Sequence, residues 1–238
     1  MVSDWLKSAQ HAVIFTGAGM STESGLPDFR SANQGLWGKR NPSEVASVQA
    51  MNSNAEAFTA FYRERITKAD AFSPHEGHRI LADWEASGLI RSIITQNVDG
   101  FHQLAGSRAV AELHGSLRKV FCQSCGASYS SSFYKEQDYR CPACGGLLRP
   151  AVVLFGEMLP EEPFAMAFEE ASKSDLFIVL GSSLSVSPAN QFPLIAKEHG
   201  ARLVIVNEET TDFDHHADLV IHGRKIGAVL AEWNEGLD

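Results

Sequence analysis

"HAVIFTGAG", residues 11–19, is an apolar run rich in β-branched residues that ends in a Gly-x-Gly turn. Five further runs have the same character and are bounded by glycine or polar residues: "LIRSIITQN" (89–97), "AVAELHG" (109–115), "DLFIVLGSS" (175–183), "ARLVIVNEE" (201–209) and "ADLVIHG" (217–223). Short apolar runs of this kind are typical of strands that are buried on both faces of a parallel sheet. The pattern therefore predicts a parallel sheet built from these six runs.

Helical patterns lie between and after these strands. Apolar residues recur at helical spacing in "PEEPFAMAFEEASKS" (160–174), "PANQFPLIAKEHG" (188–200) and "IGAVLAEWNEG" (226–236). Strand alternating with helix predicts an α/β fold with a doubly wound, Rossmann-like parallel sheet. Two segments interrupt the alternation, and we predict that they form a smaller inserted domain. The predicted large domain comprises 1–30, 86–115 and 150–238, and the inserted domain comprises a helical module at 31–85 and a second, loop-like module at 116–149.

Composition restricts the class of protein. The 238 residues carry a formal charge of −9, and 44% of them are hydrophobic. No run approaches the roughly 18 apolar residues of a membrane span, and the N-terminus lacks the pattern of a signal peptide. We therefore expect a cytoplasmic protein without membrane contact, and we take it to be a monomer. The acidic charge argues against nucleic acid as a direct partner and favours a basic peptide if the protein binds a polymer.

The second inserted module contains two cysteine pairs, "CQSC" (122–125) and "CPAC" (141–144), which use all four cysteines of the chain. A glycine follows each pair, at Gly126 and Gly145, where it allows the chain to turn. Two disulfides or a redox CxxC motif are the alternatives, but an intracellular chain disfavours the first and the duplicated pair disfavours the second. Four thiolates leave no open position on a tetrahedral Zn²⁺, so we predict one structural zinc ion. Its ligands are Cys122, Cys125, Cys141 and Cys144.

Two glycine-containing turns follow predicted strands. "GAGMSTESGLPDFR" (17–30) begins with a Gly-x-Gly turn that lets backbone N–H groups approach a phosphate, and "GSSLSVSP" (181–188) is a second Gly/Ser turn. The third glycine of the dinucleotide fingerprint is replaced by Thr22. Asn207 and Glu208 end a later strand and could hold a ribose instead. Together the turns favour a dinucleotide ligand, although both are also compatible with ordinary strand-to-helix turns.

"TQNVDGFH" (95–102) places polar side chains directly after an apolar strand. Asn, Asp and Gly are common turn residues, so a simple loop is one interpretation. Gln96, Asn97 and Asp99 would also lie at the carboxyl edge of the sheet, where open α/β sheets bind ligands. The stretch is therefore either a turn or part of a site.

Taken in order, these motifs resemble those of the sirtuins, which are NAD-dependent protein-lysine deacylases. The resemblance rests on "GAGMSTESGLPDFR", "TQNVDGFH", "ELHG" (112–115), the two cysteine pairs, "RPAVVLFGE" (149–157), "GSSLSVSPA" (181–189) and "VNEE" (206–209). It spans nearly the whole chain, and the short chain is similar to bacterial members. Any one motif could occur by chance, but seven in the same order are specific.

The resemblance implies a fold, a reaction and a set of residues. NAD would bind between the large sheet and the zinc-containing domain, and an acyl-lysine peptide would enter from the opposite side. The acyl oxygen would displace nicotinamide, and a ribose hydroxyl that a histidine deprotonates would then take over the acyl group. The products would be free lysine and O-acetyl-ADP-ribose. The resemblance places His114 as the base, with Asn97 as the second catalytic residue.

The resemblance also assigns contacts to each part of NAD. Asn97 and Asp99 would hold nicotinamide and its ribose, Gln96 would reach the same sugar, and Asp28 would bind the carboxamide beside Ala18. Phe29 and Arg30 would close over the reactive sugar. The pyrophosphate would be bound by Gly17, Gly19 and Ser21, and the adenosine half by Gly181, Ser182, Ser183, Asn207 and Glu208.

The peptide would lie as an added strand between two edges of the chain, a mode that relies on backbone hydrogen bonds. These edges comprise Val152, Val153, Phe155, Gly156 and Glu157 on one side and Leu184 and Val186 on the other. Val153 and Phe155 would wall the lysine tunnel. The chain departs from the common family pattern at Ala151, where Asp or His is frequent, and at Leu154, where an aromatic residue is frequent. These departures concern peptide preference.

The preferred acyl group is a separate question. Family members that remove succinyl groups carry a Tyr-x-x-Arg pair, because a guanidinium binds a carboxylate through two hydrogen bonds. "FYRERI" (61–66) contains Tyr62 and Arg65 at that spacing, whereas "PDFR" (27–30) fits deacetylases better. We therefore expect deacetylation first, with desuccinylation or broad deacylation as the alternative. An NAD-dependent oxidoreductase would not explain the cysteine pairs, and a mono-ADP-ribosyltransferase is disfavoured by the presence of both His114 and Asn97.

Overall fold

The computed structural model describes residues 1–28, 41–136 and 139–237, and its centre is a six-stranded parallel sheet. The strands are β1 (Ala12–Thr16), β2 (Ser92–Thr95), β3 (Val110–Glu112), β7 (Leu176–Leu180), β8 (Arg202–Val206) and β9 (Leu219–Ile221). They lie in the order β3-β2-β1-β7-β8-β9, which is 3-2-1-4-5-6 when these six strands are numbered along the chain. This is the Rossmann order, so the predicted fold class is confirmed.

Apolar side chains from both faces of this sheet fill two cores. Successive residues of a strand point to opposite faces, and Ile14 and Ile178 accordingly lie in one core while Phe15 and Phe177 lie in the other. The first core is covered by α1 (Val2–Ser8), α5 (Glu76–Ala86) and α10 (Ile226–Glu235). The second core is covered by α8 (Glu161–Lys173) and α9 (Phe192–Glu198). The three predicted helical stretches thus correspond to α8, α9 and α10. A short helix, α6 (Phe101–Ala105), follows β2.

A second sheet is antiparallel and has three strands. It consists of β4 (Gly115–Cys122), β5 (Ser128–Ser130) and β6 (Leu148–Val152), in the order β5-β4-β6. The helices α2 (Pro42–Val45), α3 (Val48–Ser53), α4 (Ala55–Ala71) and α7 (Ser132–Glu136) complete this half of the molecule. A third core containing Phe58, Tyr62 and Leu148 joins α4 to the small sheet. The segment at 116–149 is therefore not only loop, as its composition suggested, but contains most of a small sheet.

Two elements, α5 and β6, pack against the sheet of the other predicted domain, at least in part. Helix α5, which falls within 31–85, contributes Leu81 and Trp84 to a core of the large sheet. Strand β6, which extends to Val152, pairs with β4 of the small sheet although it crosses the predicted boundary at 150. The domain division stays a prediction. Among the described residues, no helix combines the length and the apolar character needed to span a membrane.

Candidate active site

A cleft of about 1230 Å³ lies between the two sheets at the carboxyl ends of the parallel strands. The cleft is lined by ten residues that are predicted to bind the cofactor: Ala18, Gly19, Asp28, Gln96, Asn97, Gly181, Ser182, Ser183, Asn207 and Glu208. Residues predicted to bind substrate also line it, and they are Val152, Val153, Phe155, Gly156, Glu157, Val186, Tyr62 and Arg65. Residues separated by up to 190 positions in the chain are therefore brought to one site. Phe29 and Arg30 fall outside the described residues.

The turns after β1 and β7 pack directly against each other. A Cβ atom on Gly17 would lie 2.7 Å from the Gly181 carbonyl oxygen, and one on Gly19 would lie 2.7 Å from the Gly181 Cα. The Gly19 N–H donates to the Gly181 oxygen at 2.9 Å. Gly17 is buried and does not line the cleft, so its lack of a side chain is required by this close approach of two backbones. Gly19 and Gly181 remain at the cleft surface.

Asn97 connects the loop after β2 to the turn after β1. Its Nδ2 donates to the Gly17 oxygen at 2.9 Å and to the Ser21 hydroxyl at 3.3 Å, and its backbone N–H donates to the Thr95 hydroxyl at 3.0 Å. These bonds use the donors of the amide and leave its acceptor oxygen for other partners. The neighbouring Gln96 accepts a hydrogen bond from Ser182 at 2.7 Å. Gln96 and Asn97 of "TQNVDGFH" therefore line the cleft, which is compatible with the prediction of a site.

Asp99 lies behind this loop in a smaller cavity of about 60 Å³, which it shares with Ser21 and Asn97. Its carboxylate accepts from the Ser21 hydroxyl and the Phe101 N–H, both at 2.8 Å. Burial raises the pKa of this carboxyl, whereas the two hydrogen bonds act in the opposite direction. Gly100 has φ +74°, which a side chain would strain, and so supplies the turn predicted for it. Neither Ser21 nor Asp99 lines the large cleft.

His114 lies on the wall of the cleft, between the end of β3 and the start of β4. Its Nδ1 is 3.0 Å from the Gln96 carbonyl oxygen. Because a carbonyl can only accept, this contact assigns the proton of the neutral ring to Nδ1 and leaves Nε2 as the basic nitrogen. The half-buried ring is thus held in the tautomer that a general base requires.

The strand edge after β6 is fixed by an ion pair. Arg149 is buried and donates to Glu157 through Nη1 at 2.5 Å and Nη2 at 2.9 Å. Glu157 also accepts from the Leu154 N–H at 2.8 Å. Burial raises the pKa of Glu157, but Arg149 and the Leu154 N–H more than offset this, and the net pKa is lowered. The Glu157 carboxylate therefore braces the segment 152–157.

One predicted substrate residue lies away from the cleft. Leu184 is buried in a core of the large sheet and adopts φ +53°. It is absent from the cleft lining, so its side chain lies in the core and only its backbone is left as the predicted substrate contact. Val186, two residues further on, does line the cleft.

Tyr62 and Arg65 both lie on the cleft side of α4. Tyr62 is buried, and the Arg65 guanidinium lies 5.8 Å from the centre of its ring and hydrogen-bonds its hydroxyl. Burial raises the pKa of the Tyr62 phenol, and the Arg65 charge acts against this rise. The spacing of the two residues therefore does bring them together at the site.

The four cysteines form a cluster at the end of the small sheet, with all Sγ atoms within 4.8 Å of one another. Two of the separations are 3.5 Å (Cys122 to Cys144) and 3.7 Å (Cys125 to Cys141). A zinc ion with Zn–S bonds of about 2.3 Å requires sulfur atoms about 3.8 Å apart at the corners of a tetrahedron. Gly126 and Gly145 both have φ +72° and form the turns after each pair. The four thiols thus fit one structural Zn²⁺.

Comparison with known proteins agrees with this geometry. The model of the Sir2 family matches residues 17–188. The chain belongs to the Sir2 family. A curated relative, an "NAD-dependent protein deacetylase" of Oceanobacillus iheyensis, is 61% identical over 237 residues, which are 99% of this chain and 100% of the relative.

Solved sirtuin structures share the whole fold with this sirtuin. One described as "Sir2-p53 peptide-NAD+" has a TM-score of 0.87 and 37% identity, and the match covers 98% of this chain and 95% of the other. A second structure holds the inhibitor EX-527, 2′-O-acetyl-ADP-ribose and a deacetylated p53 peptide. Its TM-score is 0.87 at 36% identity, and the match covers 99% and 98% of the two chains. The large and small sheets therefore recur together in proteins that bind NAD and peptides.

Several residues of this sirtuin line the cleft although no local sequence pattern predicts them there. Thr22, Glu23, Arg224 and Lys225 all line it. Glu23 accepts a hydrogen bond at 2.8 Å from the N–H of Gly227, at the start of α10. This contact joins residues that are 204 positions apart. Only the folded chain brings the turn after β1 to the first turn of α10.

Three histidines, His75, His78 and His102, pack against one another behind the cleft of this sirtuin. The His75 and His78 rings meet edge-on with their centres 4.5 Å apart, and the His78 and His102 rings are tilted with their centres 5.0 Å apart. His102 lies 2.9 Å from the Thr16 hydroxyl, and His75 lies 2.7 Å from the Met20 carbonyl oxygen. Burial lowers the pKa of His78 to about 2 and of His102 to about 3. The rings of His78 and His102 therefore stay neutral at ordinary pH.

Proposed function

We propose that this sirtuin is an NAD-dependent protein-lysine deacetylase that transfers the acetyl group of lysine to ADP-ribose. The observation that carries the proposal is the placement of His114, on the wall of the cleft with Nδ1 held by the Gln96 carbonyl. NAD, when bound, supplies the ribose carbon that the acyl oxygen attacks and the nicotinamide that leaves. The related proteins that carry the name NAD-dependent protein deacetylase support the same reaction.

The residues of the chain divide the work of binding and proton transfer. Nε2 of His114 takes the proton of a ribose hydroxyl, because that nitrogen is the basic one in the tautomer described above. Asn97 presents its amide oxygen at the nicotinamide end, since its donors are used by Gly17 and Ser21. Gly19 and Gly181 let the pyrophosphate approach two backbones, while Asn207 and Glu208 bind the adenosine half.

The peptide binds as a strand between the segment 152–157 and the turn that contains Val186. Backbone hydrogen bonds along such an edge need little sequence from the partner. The Arg149–Glu157 pair supports this mode because it keeps the edge in place before the peptide arrives. Val153 and Phe155 line the cleft and wall the lysine stem.

The proposal also includes the cellular setting. Four thiols arranged for a metal suit a reducing compartment, which supports the cytoplasm. A formal charge of −9 supports protein rather than nucleic-acid or membrane partners. We propose a monomer, which light scattering after gel filtration tests directly.

The deciding experiment incubates the protein with NAD and an acetyl-lysine peptide and follows peptide mass and nicotinamide release. We expect loss of the acetyl group in step with nicotinamide. His114→Ala should reduce turnover about 10²–10⁴-fold while NAD binding by calorimetry stays near wild type. His199→Ala, which changes an exposed histidine on the surface, is the matched control. Transfer of ADP-ribose to protein without acetyl loss would contradict the proposal.

Desuccinylation is the second candidate, because Tyr62 and Arg65 lie in the cleft and hydrogen-bond each other. A guanidinium there can bind the carboxylate of a succinyl group. Turnover of a succinylated peptide should then fall about tenfold or more in Arg65→Met, as expected for a lost hydrogen bond to a charge, with deacetylation kept. Equal loss for both peptides would remove Arg65 from acyl recognition.

A further inference from the structure

Arg118 lies on β4, outside the cleft lining, yet it contacts the loop that carries Asn97 and Asp99. Its Nε donates to the Asp99 backbone oxygen at 2.7 Å. Its guanidinium also lies 5.9 Å from the centre of the Phe101 ring, at the start of α6. The side chain therefore touches the loop at two points, immediately before and after Gly100.

Gly100 shows how closely Arg118 covers this loop. A Cβ atom on Gly100 would lie 2.9 Å from Cγ of Arg118 and 3.2 Å from its Nε. The residue also has φ +74°, so the loop needs glycine there for its backbone conformation and for the space that Arg118 occupies. The shape of the loop and the position of the arginine are thus matched.

The other end of the guanidinium is fixed by the last turn of α4. Nη1 donates to the Asp70 carboxylate at 2.5 Å, and Nη2 donates to the Ala69 oxygen at 3.3 Å. Lys135 of α7 holds the second oxygen of Asp70 at 2.5 Å. Arg118 and Asp70 are each less than a third exposed, so solvent only partly screens their attraction. The arginine is consequently held in one orientation.

Arg118 therefore joins both halves of the molecule at one point. It belongs to the small sheet, it is anchored on α4, and it holds the backbone of a loop that extends from the large sheet. Asn97 on that loop lines the large cleft, and the Asp99 carboxylate lines the smaller cavity. A loop released at the Asp99 carbonyl would move both side chains.

We propose that Arg118 is a positioning residue that holds the loop 97–100 in the geometry needed to bind the nicotinamide half of NAD. The proposal rests on the proposed function, in which Asn97 presents its amide oxygen at the nicotinamide end. It assigns no direct ligand contact to Arg118. Its specific consequence is that the loss of Arg118 affects ligands with nicotinamide more than ligands without it.

The test measures binding of NAD and of ADP-ribose by calorimetry, in wild type and in Arg118→Gln. We expect the Kd for NAD to rise about tenfold, as for one lost hydrogen bond to a charged group. The Kd for ADP-ribose should change less than twofold, since this ligand lacks nicotinamide. Turnover with limiting NAD should show a raised KM for NAD and an unchanged KM for peptide.

Two further variants separate positioning from general stability. Lys135→Gln removes an ion pair to the same Asp70 without touching the loop, and should leave both Kd values within twofold of wild type. Asp70→Asn frees the guanidinium while keeping Arg118, and should raise the Kd for NAD by an intermediate factor. It also keeps the proposal testable if Arg118→Gln fails to fold.

Equal weakening of NAD and ADP-ribose, or no weakening of either, would overturn the positioning role. The positioning role would also be overturned if Lys135→Gln weakened NAD binding as much as Arg118→Gln does. Failure of the proposed function gives a different result, because wild type would then bind neither ligand or bind NAD without deacetylating the peptide. The binding comparison does not depend on acetyl transfer.

Discussion

Every residue of β1 and β7 in the large sheet is buried, whereas β5 of the small sheet has two exposed residues around a half-buried one. The large sheet has helices on both faces and two apolar cores, while the small sheet shares one core with α4 and ends at four cysteines. A large domain that buries much apolar surface needs no cross-link, whereas a very small module that buries little of it usually needs a metal or a disulfide. We infer that burial stabilises one half and a metal the other.

Loss of a zinc ligand should produce the largest effect and act on the small sheet. Cys141→Ser should release the metal, because structural zinc contributes on the order of 10 kcal/mol to the folding of such modules. We expect loss of bound zinc, rapid proteolysis within 116–149 and loss of deacetylation, with most far-UV dichroism kept. Ser124→Ala, which lies between the two ligands of the other cysteine pair, should behave as wild type. Full zinc content in Cys141→Ser would contradict this division.

A core substitution should act on the large sheet alone. Phe177 is fully buried, with its ring centre 6.2 Å from that of Phe15. Phe177→Ala should lower the free energy of unfolding by about 3–5 kcal/mol, as measured by urea denaturation, with zinc content unchanged. The control is Phe168→Ala on α8, where the ring is 50% exposed. Release of zinc by Phe177→Ala would show that the two halves are not stabilised separately.

Acid should weaken the large sheet through its buried histidines. The folded pKa is about 2 for His78 and about 3 for His102, each lowered mainly by burial, from a usual value of 6.5. The unfolded state therefore binds more protons below pH 6.5. The contribution of His78 and His102 to stability is therefore complete above pH 6.5, and it is lost as the pH falls towards their folded pKa values.

Each of the two histidines should lower the free energy of unfolding by about 1 kcal/mol for each pH unit below 6.5. Urea denaturation between pH 7 and pH 5 measures this slope, and His102→Gln should reduce it because glutamine does not take up a proton. His215→Gln, at an exposed position, should keep the wild-type slope. Identical slopes in all three proteins would exclude buried histidines as the cause.

A pair of glycines offers the smallest and most closely matched test. Gly88, after α5, has φ +78°, and Gly126, after the first cysteine pair, has φ +72°; a Cβ on either would meet no described atom within 4 Å. Substitution by alanine at either position should lower the free energy of unfolding by about 1–2 kcal/mol, because of backbone strain. Gly126→Ala should weaken zinc in a chelator competition, whereas Gly88→Ala should lower only the unfolding temperature. An equal effect of both on zinc would contradict the comparison.

The sequence predicts the large sheet well because its strands are buried on both faces. Such strands consist of continuous apolar runs, which are visible without knowledge of their partners. The zinc cluster is equally visible, since the ligand types and their spacing are local. Asn97 and His114 lie at the ends of two of the predicted strand runs, and their proposed roles come from the resemblance to the sirtuins.

The small sheet is harder to predict because its pattern is irregular. Its β4–β6 pairing shifts register between Ser116 and Val120, and β6 contains Pro150. Neither strand therefore shows a clean alternation of apolar and polar residues. Leu184 presents the opposite difficulty, since an apolar residue within a polar turn looks exposed while its side chain is buried in the core.

Contacts between distant segments have no local signature at all. Glu23 reaches the first turn of α10, and Arg118 reaches the loop after β2. Both look like ordinary surface charges in the sequence. Only the folded chain shows that Glu23 accepts a hydrogen bond from Gly227 and that Arg118 donates one to the loop after β2.

Strand β4 runs over eight residues, from Gly115 beside His114 to the zinc ligand Cys122. Because side chains alternate between the faces of a strand, inserting or deleting one residue would turn every following side chain to the opposite face. Arg118 would leave the Asp99 carbonyl, and Cys122 would leave the metal. A change of one residue in this stretch should therefore disturb the cleft loop and the metal site together.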